Sequence, residues 1–125
     1  MKRILVVDDD KDLLIALKFY LQKNGYDVTT TTSCSDGLQI FHASRPDLLL
    51  LDINVGDEDG RSMCRQIKSQ AELQHIPVIM ISANHAELAF YRDYGANASL
   101  NKPFEPAALL ELINNTISSG GITVD

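Results

Sequence analysis

The chain has little of several residue types whose abundance marks particular classes of protein. Its 125 residues include no tryptophan, four prolines and two cysteines. Cys34 and Cys64 are isolated and form no C-x-x-C pair, so we expect both to be small, partly buried side chains. A chain of this length buries roughly two-thirds of its unfolded surface, so it needs no disulfide or structural metal to fold.

Positive charge and long apolar runs are also scarce. Eleven basic residues against seventeen acidic ones give a net charge of −6, whereas a domain that binds nucleic acid needs a basic face. The apolar runs are far too short to span a membrane, and Met1-Lys2-Arg3 leads into a short apolar run and three aspartates rather than a signal sequence. We therefore expect a cytoplasmic domain that contacts neither nucleic acid nor membrane.

The apolar runs that are present alternate with helix-period segments, which is the pattern of a doubly wound parallel sheet. The predicted fold is α/β and flavodoxin-like: five parallel strands in the order 2-1-3-4-5 with five helices, in three α/β/α layers. We predict a domain over residues 1–118 and a C-terminal tail or the start of a linker over 119–125. The predicted strands cover residues 3–7, 27–31, 47–51, 77–81 and 98–100, and the helices residues 11–23, 35–44, 60–70, 86–94 and 106–117.

Acidic residues follow two of these strands at the point where each ends. Asp8 and Asp9 follow the first strand and Asp52 follows the third, and in the predicted order these strands are neighbours. Carboxylates ~5 Å apart at an effective dielectric constant of ~20 repel by roughly 3 kcal/mol per pair, so the cluster needs a counter-charge. Hard oxygen ligands with room for water favour Mg2+, with Mn2+ as a second choice. Asp10, by contrast, is expected only to cap the first helix.

A hydroxyl and an ammonium group are predicted at the same edge of the sheet. Ser82 follows the fourth strand and Lys102 follows the fifth. A hydroxyl donates to a phosphoryl oxygen, a lysine neutralises another, and the small Ala83 keeps the approach open. Neither residue would carry this inference alone. Together with the three aspartates they predict a site for a divalent cation and a phosphoryl group.

Five short motifs stand in order along the chain, each on the expected element, and in combination they are specific. Over essentially its whole length the chain resembles the receiver domain of two-component response regulators. The motifs are Val6-Val7-Asp8-Asp9, Leu50-Leu51-Asp52 with Asp59-Gly60, Ile81-Ser82-Ala83, Gly95-Ala96 and Lys102-Pro103-Phe104.

The resemblance implies roles for the acidic residues. Asp52 is implied as the phosphoacceptor. Asp9 and Asp52 are implied as ligands of Mg2+, together with the backbone carbonyl of Asn54, while Asp8 assists through water. Lys102 would contact the phosphoryl group, in a Lys102–Pro103 unit whose peptide bond is cis in the family.

The resemblance also implies a partner and an output. The phosphoryl group would come from a phosphohistidine of a sensor histidine kinase or a histidine phosphotransfer protein, since His42, His75 and His85 sit in no donor motif. Ser82 would be the switch hydroxyl. The fourth helix, fifth strand and fifth helix would then contact an output domain, a target protein or a second copy. Such a domain is a signalling phosphoacceptor rather than an enzyme, and its opening residues suggest a stand-alone receiver or the N-terminal part of a regulator.

The sequence departs from the family pattern at several positions. Ser99 stands where the family has an aromatic residue that turns inward on activation. We therefore expect the conformational change to be transmitted by the loop after Ser82 or by Phe104. Gly56 replaces the usual proline, which predicts a more mobile or different turn. Asn54 and Asn84 are polar residues at positions that flank the phosphoryl group in the family. The acidic stretch 56–59 is expected to be a solvated turn ending in a helix cap, and the aromatic residues of 90–94 cannot all be buried by one helix face.

Three other functions fit parts of the pattern. An aspartyl-phosphate phosphatase of the haloacid-dehalogenase type would use Asp8 as its nucleophile, but 125 residues leave little room for its substrate pocket. A flavodoxin-like cofactor binder would need a phosphate loop in place of the three aspartates. A receiver-like module that is no longer phosphorylated is disfavoured by the complete acidic set and Lys102.

Overall fold

The centre of the molecule is a parallel sheet, described with its helices by a computed structural model over residues 1–119. The strands lie in the order β2-β1-β3-β6-β7, which confirms the predicted doubly wound topology with β2 at an edge. The sheet strands are β1 (Arg3–Val7), β2 (Asp27–Thr31), β3 (Leu48–Asp52), β6 (Val78–Ser82) and β7 (Ala98–Asn101), and a separate hairpin consists of β4 (Asn54–Val55) and β5 (Glu58–Asp59). The helices are α1 (Lys11–Lys23), α2 (Cys34–Ser44), α3 (Gly60–Lys68), α4 (His85–Leu88) and α5 (Pro106–Ser118), with a 3-10 helix over Tyr91–Tyr94.

Two apolar layers enclose the sheet because successive strand residues point to opposite faces. Leu49 and Leu51 of β3 pack in the layer that contains Phe41 of α2 and Ile67 of α3. The alternate strand residues pack in the other layer, with buried side chains of α1 and α5 such as Ile113. Every residue of β3 and β6 is buried, as expected for central parallel strands.

The predicted fourth helix is wrong as a continuous element. α4 ends at Leu88, and a 3-10 helix follows over Tyr91–Tyr94, closed by Gly95 in the left-handed conformation. Leu88 and Tyr94 are both buried. Residues six apart lie about 120° apart around a regular α-helix, so one continuous helix would turn only one of them to the core. The tighter second segment brings both to the core and leaves Phe90 62% exposed.

The loop predicted after the third strand contains the small β4–β5 hairpin. Gly56 has a φ of +60° at the first of its two turn residues, where a type II′ hairpin turn places glycine. Glycine at this position thus has a structural reason. Other boundaries differ by one or two residues: β3 and β6 each begin and end one residue later than predicted, with their ends at Asp52 and Ser82, and α3 ends two residues earlier, at Lys68.

The chain end and the helix lengths bear on two further predictions. α5 ends at Ser118, and residues 120–125 of the predicted tail lie outside the described part of the chain. Among residues 1–119, no helix combines the length and the apolar character that a membrane crossing requires.

Candidate functional site

The carboxyl ends of four neighbouring strands bring the predicted site residues to one edge of the sheet. Asp52 and Ser82 are the last residues of β3 and β6, while Asp8 and Lys102 directly follow β1 and β7. Because β1 pairs with β3 and β3 with β6, their ends lie side by side. Asp9, the next residue along, lies at the same edge.

Lys102 joins two of the carboxylates. Its Nζ donates to Oδ2 of Asp8 at 2.7 Å and to Oδ2 of Asp52 at 2.9 Å. Burial alone would lower the pKa of Lys102, but the bonds to Asp8 and Asp52 outweigh that effect and raise it above its ordinary value. The ammonium group therefore stays charged between the two carboxylates. The Lys102–Pro103 peptide bond is cis, as the resemblance implied.

Asp8 is fully buried, and both of its oxygens are occupied. Oδ1 accepts the backbone N–H of Asp10 at 2.9 Å, while Oδ2 holds Lys102. Burial raises the pKa of Asp8, and the bond to Lys102 opposes that rise. Asp10 itself caps α1 by accepting from the N–H of Leu13, as predicted. Asp8 therefore orients its neighbours and is closed to solvent.

The three predicted carboxylates form one cluster. Asp8, Asp9 and Asp52 each place a carboxylate oxygen within 4.8 Å of the others. Asp9 is exposed, and one of its oxygens accepts the N–H of Gly56 at 3.2 Å. Three hard oxygen donors at these separations, one of them open to solvent, fit a small divalent cation such as Mg2+.

Asp52 faces a cavity of about 580 Å³. Its Oδ1 accepts the N–H of Asn54 at 3.3 Å. Ser82 is buried, and its Oγ accepts the N–H of Asn84 at 2.9 Å, which leaves the hydroxyl proton available as a donor. The cavity is lined by Asp52, Asn54, Ser82, Ala83, Asn84, His85 and Lys102. A tetrahedral anion bound there would meet a carboxylate, a hydroxyl and an ammonium group.

The acidic hairpin next to the site is more ordered than a solvated turn. Asp59 caps α3 as predicted, and its hydrogen bond with Arg61 lowers the pKa of its carboxyl group. The carboxylate of Glu58, however, accepts the N–H groups of Cys34 at 2.7 Å and Ser35 at 3.2 Å at the start of α2. Sequence reasoning missed this contact because nothing in the spacing connects residue 58 to the second helix.

The structure explains why Gly60 follows Asp59 in the sequence motif, which the sequence alone did not show. A Cβ atom at this position would lie 2.0 Å from the backbone oxygen of Asp52. The N–H of Gly60 also donates to the carbonyl of Ile53 at 2.6 Å. Only glycine allows the start of α3 to lie against the strand end that carries Asp52.

Comparison with known proteins agrees with this geometry. Residues 4–114 match the family model described as the response regulator receiver domain. A CheY-like receiver domain protein from Methanospirillum hungatei JF-1 is 30% identical, with a TM-score of 0.87 and coverage of 95% of both chains. A response regulator described as putative, from Chloroflexus aurantiacus J-10-fl, is 28% identical, with a TM-score of 0.88 over 94% of this chain and 98% of that one.

A third similar structure is a longer protein. NtrX from Brucella abortus is 26% identical with a TM-score of 0.87, and the match covers 98% of this chain but 28% of that one. The fold, the strand-end cluster and the family match over most of the chain lead to one conclusion: the chain belongs to the response regulator receiver domain family of two-component signalling.

Proposed function

We propose that this receiver domain accepts a phosphoryl group on Asp52 from a phosphohistidine of a sensor histidine kinase or a histidine phosphotransfer protein in the cytoplasm. The observation that supports the proposal most is the Lys102 ammonium group held 2.9 Å from the Asp52 carboxylate, at the wall of an open cavity. Asp52 lines that cavity, whereas Asp8 is fully buried with both oxygens bonded. Both carboxylates accept a hydrogen bond on each oxygen, so the access from the cavity is what favours Asp52 over Asp8 as the nucleophile.

The transfer is an in-line displacement. A carboxylate oxygen of Asp52 forms a bond to phosphorus while the bond from phosphorus to the donor imidazole nitrogen breaks, and the electron pair returns to the ring. Such transition states are loose, so positioning and charge neutralisation supply most of the catalysis. Lys102 would neutralise charge on the phosphoryl oxygens, and its bond to Asp8 supports this role by holding the ammonium group beside Asp52.

The acidic cluster would hold Mg2+ or Mn2+ through Asp9, Asp52 and the backbone carbonyl of Asn54, while Asp8 would assist through water. The bound ion would neutralise negative charge on the transferring phosphoryl group. Asp9 keeps one carboxylate oxygen clear of the Gly56 N–H, so its bond to the hairpin leaves an oxygen for this purpose.

Ser82 would then transmit the effect of phosphorylation to the rest of the domain. Its hydroxyl proton is available to a phosphoryl oxygen, and its Oγ already contacts the backbone of Asn84 at the start of α4. A shift of Ser82 would therefore reach α4, and the face formed by α4, β7 and α5 would contact an output domain, a target protein or a second copy. Phe90, two residues after α4, is exposed and would be available to such a partner.

Phosphoryl uptake from a small donor tests the assignment. With acetyl phosphate and Mg2+, we expect wild-type protein to incorporate phosphate and the Asp52→Asn variant to incorporate none. Asp57→Asn, an exposed aspartate of the neighbouring hairpin turn, should incorporate phosphate like wild type. Full incorporation in a folded Asp52→Asn variant would overturn the proposal.

A further inference from the structure

A chain of hydrogen bonds runs around the mouth of the Asp52 cavity, and Glu87 of α4 lies at its midpoint. The N–H of Asn54 donates to Asp52 at 3.3 Å, and the side-chain amide of Asn54 donates to the Glu87 carboxylate at 3.0 Å. The N–H of Glu87 donates to Oδ1 of Asn84 at 3.2 Å, and the N–H of Asn84 donates to Ser82 at 2.9 Å. One residue thus holds both amide side chains that line the cavity.

These contacts fix which end of each amide remains free. A carboxylate only accepts hydrogen bonds, so the NH2 group of Asn54 must face Glu87 and its carbonyl oxygen is turned away from Glu87. Oδ1 of Asn84 is taken by the N–H of Glu87, so the NH2 group of Asn84 is the free end. The mouth of the cavity therefore offers one acceptor and one donor, which is a pair that can hold a water molecule.

Glu87 is itself held in place. Its backbone carbonyl accepts the hydroxyl of the buried Tyr94 at 2.5 Å. Its carboxylate lies 3.7 Å from the Arg61 guanidinium, which is bonded to Asp59, and only 22% of its side chain is exposed. Glu87 is therefore a fixed support for Asn54 rather than a freely moving surface residue.

We propose that Glu87 is a positioning residue that sets how fast the phosphorylated domain loses its phosphoryl group; this inference rests on the proposed phosphorylation of Asp52. The oxygen of a water molecule bonds to phosphorus while the bond from phosphorus to Asp52 breaks. The products are the free carboxylate and dihydrogen phosphate, which carries both water protons. The carbonyl oxygen of Asn54, oriented by Glu87, accepts a hydrogen bond from that water and holds it at the mouth.

The rate of phosphate release after removal of the donor tests this role. We expect Glu87→Ala to release phosphate about fivefold more slowly, the weight of one hydrogen bond. Glu87→Gln keeps an oxygen that can accept from Asn54 and should restore most of the rate. Asn54→Ala should slow release as Glu87→Ala does, and the double variant should be no slower than Asn54→Ala alone. Glu72→Ala, at an exposed glutamate outside the site, is the matched control.

Three results would each overturn the role of Glu87. These are a wild-type release rate in folded, phosphorylated Glu87→Ala, a rate in Glu87→Gln as slow as in Glu87→Ala, and full additivity of the two single changes. The first result would show that Glu87 does not affect phosphate release. The second would show that only the charge of Glu87 matters. The third would show that Glu87 does not act through Asn54.

A readout without phosphate separates this inference from the proposed function. In the unphosphorylated protein, Glu87→Ala should shift the NMR signal of the Asn54 side-chain amide, whereas Glu72→Ala should not. If that signal does not move, the positioning role is wrong whatever the site does. If it moves but wild-type protein takes up no phosphate, the proposed function fails and the positioning role falls with it.

Discussion

At the scale of single residues, Lys102 is the group that allows two carboxylates to lie together under a cavity. Asp8 and Asp52 would repel each other by roughly 3 kcal/mol at ~5 Å and an effective dielectric constant of ~20. The ammonium group bonds to both, at 2.7 and 2.9 Å. It therefore offsets this repulsion and holds the Asp52 carboxylate at the wall of the cavity.

Gly60 affects the position of Asp52 because it packs against the backbone of that residue. Replacement of Gly60 should therefore displace the Asp52 carboxylate. We expect Gly60→Ala to lower phosphoryl uptake at Asp52 by at least about tenfold, because the added Cβ would lie 2.0 Å from the Asp52 carbonyl oxygen and force that strand end to move. Uptake from acetyl phosphate and the melting temperature are the measurements.

The control for Gly60→Ala is a variant that loses stability far from the site. Ile113→Val removes one methylene group from the fully buried face of α5 and should cost about 1 kcal/mol while leaving uptake at the wild-type level. Equal uptake by Gly60→Ala and wild type would show that the close approach does not position Asp52.

The sequence predicted which side chains come together, because each one follows an apolar run that ends at the same edge of the sheet. The strand order alone is enough to predict that four side chains lie close together: Asp8, Asp52, Ser82 and Lys102. The role of Glu87 was not predictable in this way. Its contact with Asn54 depends on where α4 lies over the hairpin, and no periodicity encodes that position.

At the scale of elements, the end of α3 is attached to two strands by one lysine. Nζ of Lys68 donates to the carbonyls of Gln74 and Ile76 and to Oδ1 of Asn97, at 3.0, 2.8 and 3.0 Å. Burial lowers the pKa of Lys68. Asn97 in turn accepts the N–H of Val78 at 2.9 Å, so the start of β6 and the start of β7 are held together at the edge opposite the site.

Removal of this ammonium group should therefore destabilise the fold. We expect Lys68→Ala to lower the free energy of unfolding by roughly 2 kcal/mol, since three oxygen acceptors lose a charged donor. Lys23→Ala, at the exposed last residue of α1, should change it by less than about 0.5 kcal/mol. Urea unfolding of both variants measures the difference, and equal midpoints would contradict this account of α3.

Element boundaries show where sequence reasoning stops. The long α1 was predicted residue for residue, because its apolar spacing, its cap and its stop all agree. The continuous fourth helix was wrong because burial of Tyr94 and its bond to Glu87 decide the local geometry there. Short elements with few internal hydrogen bonds follow tertiary contacts rather than local preference.

At the scale of the whole molecule, three carboxylates lie together at one edge of the sheet in a domain whose net charge is −6. Such a cluster costs stability in the metal-free protein and is relieved by a bound cation. At a Mg2+ concentration ten times the Kd, the expected gain is about 1.4 kcal/mol, which is a shift of a few degrees in Tm. Thermal unfolding with and without Mg2+ measures it.

Two variants test whether the cluster is the source of that shift. Asp9→Asn removes the exposed member of the cluster and should abolish most of the Mg2+ response, while Asp57→Asn, also exposed, should keep it. An unchanged response in Asp9→Asn, or no response in wild type at millimolar Mg2+, would contradict the assignment of the metal ligands.

The most direct test of the account is to locate the phosphoryl group on the wild-type protein. The domain is phosphorylated with a small donor and Mg2+, and the modified residue is identified by mass spectrometry after trapping of the acyl phosphate. We predict a single modified carboxylate, Asp52. Modification of Asp8, which is fully buried, or of no aspartate at all would contradict the central claim.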